Sequence, residues 1–187
     1  MMGGMDAVSL AIIAGGLGRR LGGRVKAHLE VEGETVLTRL LRLARPGESV
    51  VVVTQRPDAF PGLRCVPDVE AGRGAPGGVV TALLTVATPW VLVVASDMPA
   101  LEARHRELLE AAARDDVEVV AATRDGRLEP LFALYRTNLG ARWRATLKDE
   151  PSLRSLISSV PHATVALEPG ALDSLNTPDD LARHHAR

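Results

Sequence analysis

The chain has 187 residues, which suits one globular domain, and its 46% of hydrophobic residues is enough for a buried core. Its formal net charge is only -1 at pH 7, and only 3% of its residues are aromatic. The charge argues against a basic surface for nucleic acid, and the scarcity of aromatic residues argues against a base-stacking platform. We therefore expect no nucleic-acid partner.

Cysteine content and the N-terminal segment bear on the cellular setting. Cys65 is the single cysteine, which excludes an internal disulfide and a cysteine-based metal site. No basic stretch precedes the first apolar run, and glycines interrupt that run after Ala14. These features predict no signal peptide, no contact with a membrane and a cytoplasmic location.

Apolar runs rich in β-branched residues alternate with helical patterns along the chain. Strands are predicted at Val8–Ala14, Ser49–Thr54, Leu63–Val66, Trp90–Ala95, Val117–Thr123, Leu131–Tyr135 and Thr164–Leu167. Helices are predicted at Glu34–Ala44, Val79–Ala87, Leu101–Ala113, Asn138–Leu147, Leu153–Val160 and Pro178–His185, the last with Thr177 as its N-cap. This alternation predicts an α/β fold, a three-layer sandwich with a mostly parallel sheet and one antiparallel strand, in a single domain over residues 1–187.

The loop after the first strand has the composition of a phosphate-binding segment. Five glycines and four cations lie between Ala14 and Lys26, and ligands of such sheets bind beyond the carboxyl ends of the strands. The loop is not a Walker A motif, because Lys26 is followed by Ala27, and it lacks the third glycine of a dinucleotide fingerprint, where Leu21 stands. A surface loop without function is the alternative. Lys26 itself suits either a contact to phosphate or a solvated surface position.

Two aspartates follow predicted strands. Asp97 comes directly after the fourth strand and is placed to bind Mg²⁺, with helix capping as the alternative. Asp68 follows the third strand, where a turn residue is the competing interpretation. The glycine-rich segment from Gly72 to Gly78 then opens a helix, and glycines at a helix N-terminus suit an anion or a closely approaching nucleotide.

Taken in order, these motifs resemble the MobA family of molybdenum cofactor guanylyltransferases, within the glycine-rich nucleotidyltransferase superfamily with a Rossmann-like fold. The resemblance covers nearly the whole chain. It is carried by Ala14-Gly15-Gly16 with Arg20 and Lys26, Asp68, Gly74-Ala75-Pro76-Gly77-Gly78, Asp97-Met98-Pro99, Glu129 to Tyr135, and Asn176-Thr177-Pro178-Asp179-Asp180-Leu181. Ser174 departs from the pattern, because the family has a second asparagine there.

The resemblance implies transfer of GMP from GTP to the phosphate of molybdopterin, with release of pyrophosphate and Mg²⁺ as cofactor. It implies that nucleotide contacts come from Ile13, Ala14, Gly15, Gly16, Arg19, Lys26, Thr54, Asp68 and Asp97. It also implies that Lys26, Arg20 and Asp97 are catalytic, that Asp97 binds the metal, and that Asn176, Gly77 and Gly78 lie on the acceptor side. Transient contact with molybdoenzymes or cofactor-handling proteins is expected.

Several alternatives stay open at the level of sequence. A cytidylyltransferase, or a nucleotidyltransferase for another phosphorylated small molecule, would use the same loops. A nucleotide-binding module without turnover, or an adaptor protein on an α/β scaffold, would belong to a different class. Asn176 is equally well explained as a turn residue at a helix entry, and Glu129 as either a pocket carboxylate or an edge residue.

Overall fold

The computed structural model describes residues 7–15, 24–70 and 72–185. The strands in this part of the chain are β1 (Val8–Ile13), β2 (Glu30–Val31), β3 (Glu34–Thr35), β4 (Val50–Val53), β5 (Arg64–Val66), β6 (Trp90–Ala95), β7 (Val119–Arg124), β8 (Arg127–Arg136) and β9 (His162–Ala166). The α-helices are α1 (Val36–Leu41), α2 (Gly74–Thr85), α3 (Ala103–Ala111), α4 (Leu139–Thr146), α5 (Leu153–Ser158) and α6 (Pro178–His185). Single 3-10 turns occur at Lys26–His28, Pro57–Ala59 and Leu147–Asp149.

Seven strands form one sheet in the order β5-β4-β1-β6-β8-β7-β9. Strands β5, β4, β1 and β6 are mutually parallel, and β7 is parallel to β9. Strand β8 is antiparallel to both of its neighbours, β6 and β7. The prediction of a mostly parallel sheet with one antiparallel strand is therefore confirmed for the described residues.

Helices cover both faces of the sheet because the central strands are apolar on both sides. Leu10 and Leu92 point to one face, where they share a buried cluster with residues of α1 and α3. Ala11 and Val93 point to the opposite face and pack with residues of α2, α4 and α5. The result is the predicted three-layer sandwich. In the described part of the chain, each helix is too short or too polar to span a lipid bilayer.

Several element boundaries differ from the predictions. Helix α2 begins at Gly74 and not near Val79, because packing against the sheet stabilises a helical first turn despite its glycines. The predicted helix from Glu34 begins at Val36, after Thr35 caps it by accepting a hydrogen bond from the backbone N–H of Thr38. The residues just before Val36 instead form a short β2–β3 ribbon that was not predicted.

Strand β8 is also longer than the predicted Leu131–Tyr135, beginning at Arg127. Pro130 lacks an N–H for the ladder, which disfavours it inside a strand. The strand accommodates Pro130 in an irregular segment, where the pairing with β7 shifts between Ala121 and Ala122. The proline therefore interrupts the pairing with β7 without ending the strand.

Candidate active site

A cavity of about 380 Å³ opens at the edge of the sheet where β1 and β6 end. This is the position expected for a ligand of an open parallel sheet. The cavity is lined by Ile13, Gly15, Lys26, Asp68, Gly74, Ala75, Gly78, Ala95, Ser96, Asp97, Met98, Glu129, Leu131, Ser174 and Asn176. Segments distant in sequence therefore meet here, including most of the residues predicted to bind substrates.

Lys26 lies at the centre of the polar contacts in this cavity. Its Nζ donates to Asp97 Oδ2 at 2.7 Å and to Asn176 Oδ1 at 2.6 Å. The Lys26 and Asp97 side chains are largely shielded, with exposed fractions of 18% and 16%. Lys26 is therefore not a solvated surface lysine, because its ammonium joins residues from three separate segments.

The position of Asp97 follows from the buried strand that precedes it. Strand β6 is an uninterrupted apolar run, and Asp97 comes two residues after its end at Ala95. Helix α3 is capped instead by Glu102, in a reciprocal arrangement with His105. The alternative that Asp97 caps this helix is therefore excluded, and its carboxylate faces the cavity.

Asn176 lies at a helix entry, and its side chain also lines the cavity, so both interpretations that the sequence left open describe part of its position. The backbone N–H groups of Asn176 and Thr177 donate to Asp180 Oδ2, and the Thr177 hydroxyl accepts from the Asp180 N–H at 3.2 Å. These contacts form the N-terminal cap of α6. The Leu175 N–H donates to the Asp97 carbonyl at 2.9 Å, which holds this segment against β6. The helix entry thus places the Asn176 side chain in the cavity.

On the opposite side of the cavity, the first turn of α2 approaches the end of β1 closely. A Cβ atom on Gly78 would lie 3.0 Å from Ile13 Cγ2 and 3.6 Å from Asp68 Oδ1. Burial raises the pKa of the Asp68 carboxyl above its ordinary value, although a hydrogen bond from the Gln55 side chain opposes that shift. Asp68 is therefore a cavity carboxylate, and its predicted contact with a nucleoside stays a prediction.

Of the other residues predicted to contact the nucleotide, some line the cavity and some do not. Gly15 lines the cavity, with open space where its Cβ would lie. Thr54 is buried, and its hydroxyl donates to the Ala14 carbonyl at 3.4 Å and accepts from the Arg56 N–H at 3.0 Å. Thr54 and Ala14 thus join the ends of β4 and β1, and neither is among the residues that line the cavity.

Gly77 also lies outside the lining of the cavity. A Cβ atom there would lie 3.0 Å from Arg73 Cβ and 3.2 Å from the Glu70 carbonyl oxygen, so this glycine permits close packing of the preceding loop. Its predicted role toward the acceptor remains untested. The predicted contacts of Gly16, Arg19 and Arg20 fall outside the described residues.

Glu129 lies on β8 and lines the cavity. Of the two interpretations that the sequence left open, it is therefore a pocket carboxylate and not merely an edge residue. Burial raises the pKa of Glu129, and Asp97 raises it further, while Arg124, Arg154 and the Leu131 N–H act in the opposite direction. Sequence reasoning did not select Ser96, Met98, Leu131 or Ser174 as cavity residues. Ser96 and Met98 flank Asp97, and this adjacency was the available signal.

A mostly parallel α/β sheet here carries a cavity with acidic and cationic groups at its strand ends, and the comparisons with known proteins assign this arrangement to the nucleotidyltransferases. Residues 10–165 match the family model of the MobA-like NTP transferase domain. The chain belongs to this MobA-like family.

Two relatives illustrate a match over most of both chains. The molybdenum cofactor guanylyltransferase of Pseudomonas paraeruginosa is 32% identical, covering 95% of this chain and 94% of the relative. A probable molybdenum cofactor guanylyltransferase of Chloroflexus aggregans is 35% identical, with 91% and 89% covered.

Solved structures show the same fold at lower identity. The molybdopterin-guanine dinucleotide biosynthesis protein A of Archaeoglobus fulgidus superposes with a TM-score of 0.78 at 20% identity, covering 95% of this chain and 97% of that one. The 2-C-methyl-D-erythritol 4-phosphate cytidylyltransferase of Thermus thermophilus has a TM-score of 0.68 at 21% identity, covering 94% and 96%. The fold is therefore shared by enzymes that are named for different substrates.

Proposed function

We propose that this protein transfers GMP from GTP to the phosphate of molybdopterin and releases pyrophosphate. The observation that carries the proposal is the contact of Lys26 with Asp97 and Asn176 in a cavity at the strand ends. The family and the names of the relatives supply the choice of GTP and molybdopterin as substrates.

The reaction joins two anionic groups. An oxygen of the acceptor phosphate attacks the α-phosphorus of GTP, a new P–O bond forms, and the bond to the oxygen bridging the α- and β-phosphates breaks. Charge neutralisation and alignment dominate such a transfer. Because the acceptor phosphate is already ionised at neutral pH, no general base is needed.

The oxygens around Lys26 suit a magnesium ion. Mg²⁺ prefers one or two carboxylates together with phosphate oxygens and waters. Asp97 Oδ2 and Asn176 Oδ1 both accept hydrogen bonds from the ammonium of Lys26, so the pair offers a cation one carboxylate oxygen and one amide oxygen. Asp97, with Asn176 beside it, would hold Mg²⁺, which would neutralise charge on the α-phosphate.

Lys26 would then contact the phosphates of the nucleotide. Its flexible side chain can turn from Asp97 toward the β- and γ-phosphates and stabilise the pyrophosphate as it leaves. Arg19 and Arg20 of the glycine loop are proposed to act on the same groups. The N-terminal turn of α2, where Gly74 and Ala75 line the cavity, adds a favourable environment for anions.

Calorimetry with GTP, CTP, ATP and UTP in the presence of Mg²⁺ tests the nucleotide part of the proposal. We expect GTP to bind selectively and Asp97→Ala to weaken binding by about tenfold or more, because a metal ligand is lost. Asp58→Ala, at an exposed aspartate in the turn Pro57–Ala59, is the matched control and should bind GTP like the wild type.

The other results of this titration have defined meanings. Selective binding of CTP would overturn the choice of base and favour the cytidylyltransferase alternative. Binding of GTP that is unaffected by Asp97→Ala would contradict the role of Asp97. If no triphosphate binds, the assignment of the glycine loop is wrong. A cytoplasmic location and contact with molybdoenzymes or cofactor-handling proteins remain predictions.

A further inference from the structure

Strand β8 brings a second acidic residue to the cavity from the side opposite the glycine loop. Because β8 is antiparallel, its first residues lie at the edge where the parallel strands end, and Phe132 pairs with Val94 near the end of β6. Glu129 therefore lies beyond β6, whereas the first turn of α2 and the end of β1 lie on the other side of Asp97.

An irregular segment of β8 holds Glu129 in this position. Ala121 pairs with Ala133, but the next residue of β7, Ala122, pairs with Glu129, so residues 130–132 bulge away from β7. The hydroxyl of the fully buried Tyr135 donates to the Pro130 carbonyl at 2.7 Å. The bulge is thus fixed from within the core, as expected where a strand aims a side chain at a functional site.

The surroundings of Glu129 restrict what it can contact. Its carboxylate lines the same cavity as Asp97, and the charges of Arg124, Arg154 and Asp97 all act on it. Direct contact between a phosphate and the Glu129 carboxylate would be repulsive, because both groups are anionic. Carboxylates accept hydrogen bonds, and two oxygens in one plane match a pair of adjacent N–H donors.

We propose that Glu129 determines acceptor specificity by accepting hydrogen bonds from the N–H donors of the acceptor's heterocyclic ring. This inference rests on the proposed function, in which the acceptor is molybdopterin, whose 2-amino-4-oxopyrimidine ring presents two adjacent N–H groups. The acceptor phosphate then extends toward Asp97 and Lys26, and the ring lies against β8.

Glu129→Gln tests this assignment, because it keeps the size of the side chain and removes the charge. Loss of a charge-assisted hydrogen bond predicts a rise of roughly 10- to 100-fold in the KM for molybdopterin and a similar weakening of its binding in calorimetry. The kcat and the affinity for GTP should stay unchanged. Glu107→Gln, at an exposed glutamate of α3, is the matched control and should leave all four quantities unchanged.

Glu129→Asp provides a second variant that retains the charge and shortens the reach, and it should also weaken molybdopterin binding while leaving GTP binding intact. Unchanged molybdopterin binding in both variants overturns the inference alone. A change confined to GTP or Mg²⁺ affinity also overturns it and assigns Glu129 to the nucleotide side. A wild-type protein that binds GTP but not molybdopterin overturns the proposed acceptor and this inference together.

Discussion

At the scale of single residues, two glycines at the cavity have different physical roles. The Cβ of an alanine at Gly15 would meet open space, whereas one at Gly78 would lie 3.0 Å from Ile13 Cγ2. Neither glycine has a φ in the left-handed region, so an alanine is not excluded by the backbone at either position. An added methyl group at Gly15 therefore tests whether a ligand uses the open space there, whereas one at Gly78 tests the packing of α2 against β1.

Gly15→Ala should leave the free energy of unfolding unchanged and weaken GTP binding, because the added methyl occupies the space through which the backbone approaches the phosphates. Gly78→Ala should lower the stability by about 1 kcal/mol, since the strain of moving Ile13 exceeds the roughly 1 kcal/mol that alanine gains over glycine inside a helix. Urea unfolding and calorimetry of both variants give the comparison. Equal GTP affinity in Gly15→Ala and the wild type would show that no ligand uses this space.

At the scale of elements, the strands with continuous apolar runs were predictable, and β1 and β6 lie close to where the sequence places them. Periodicity did not reveal where α2 begins, because its first turn contains two glycines and a proline, which have low helix propensity, and the helix is stabilised by packing against β1 near Gly78. The start of β8 was missed for a related reason, since Pro130 indicates a strand end unless a bulge accommodates it.

Some residues of the cavity were predictable one by one, but their arrangement was not. Asp97 could be placed at a strand end, and Lys26 at the end of a glycine-rich loop. Their contact joins residues 71 positions apart, and the contact of Lys26 with Asn176 spans 150 positions. The order of the strands in the sheet brings these distant residues together, and local sequence patterns do not specify that order. The inward position of Glu129 likewise depends on the register shift between β7 and β8.

At the scale of the whole molecule, a buried ion-pair cluster joins α3 to the loop after α1. Arg106 has an exposed fraction of 2% and contacts Glu48 at 2.5 Å, Glu110 at 2.7 Å and the Leu43 carbonyl at 2.5 Å. Burial by itself raises the pKa of Glu48, but hydrogen bonds from Arg106 and from the Arg45 N–H outweigh it, so the net pKa lies below the ordinary value.

Glu48→Gln should therefore lower the free energy of unfolding by roughly 3 kcal/mol at neutral pH, because among the described residues Arg106 then keeps Glu110 alone as a charged partner. A lowered folded-state pKa stabilises the fold above the unfolded pKa of about 4.3, and this contribution is lost as the pH falls through the folded pKa. Urea unfolding at several pH values should show the difference between wild type and variant shrinking below that range. A difference that stays constant with pH would contradict the assignment.

Product formation shows whether the cavity around Lys26 and Asp97 catalyses the proposed transfer of GMP. The purified protein is incubated with Mg²⁺, GTP labelled at the α-phosphate and molybdopterin. Labelled dinucleotide and pyrophosphate should form in equal amounts. Lys26→Ala should lower kcat/KM by about 100-fold, while Lys148→Ala, at the other lysine of the chain, should have no effect. Stable GTP binding without transfer would contradict the proposed reaction, and equal rates in Lys26→Ala and the wild type would contradict the catalytic role of Lys26.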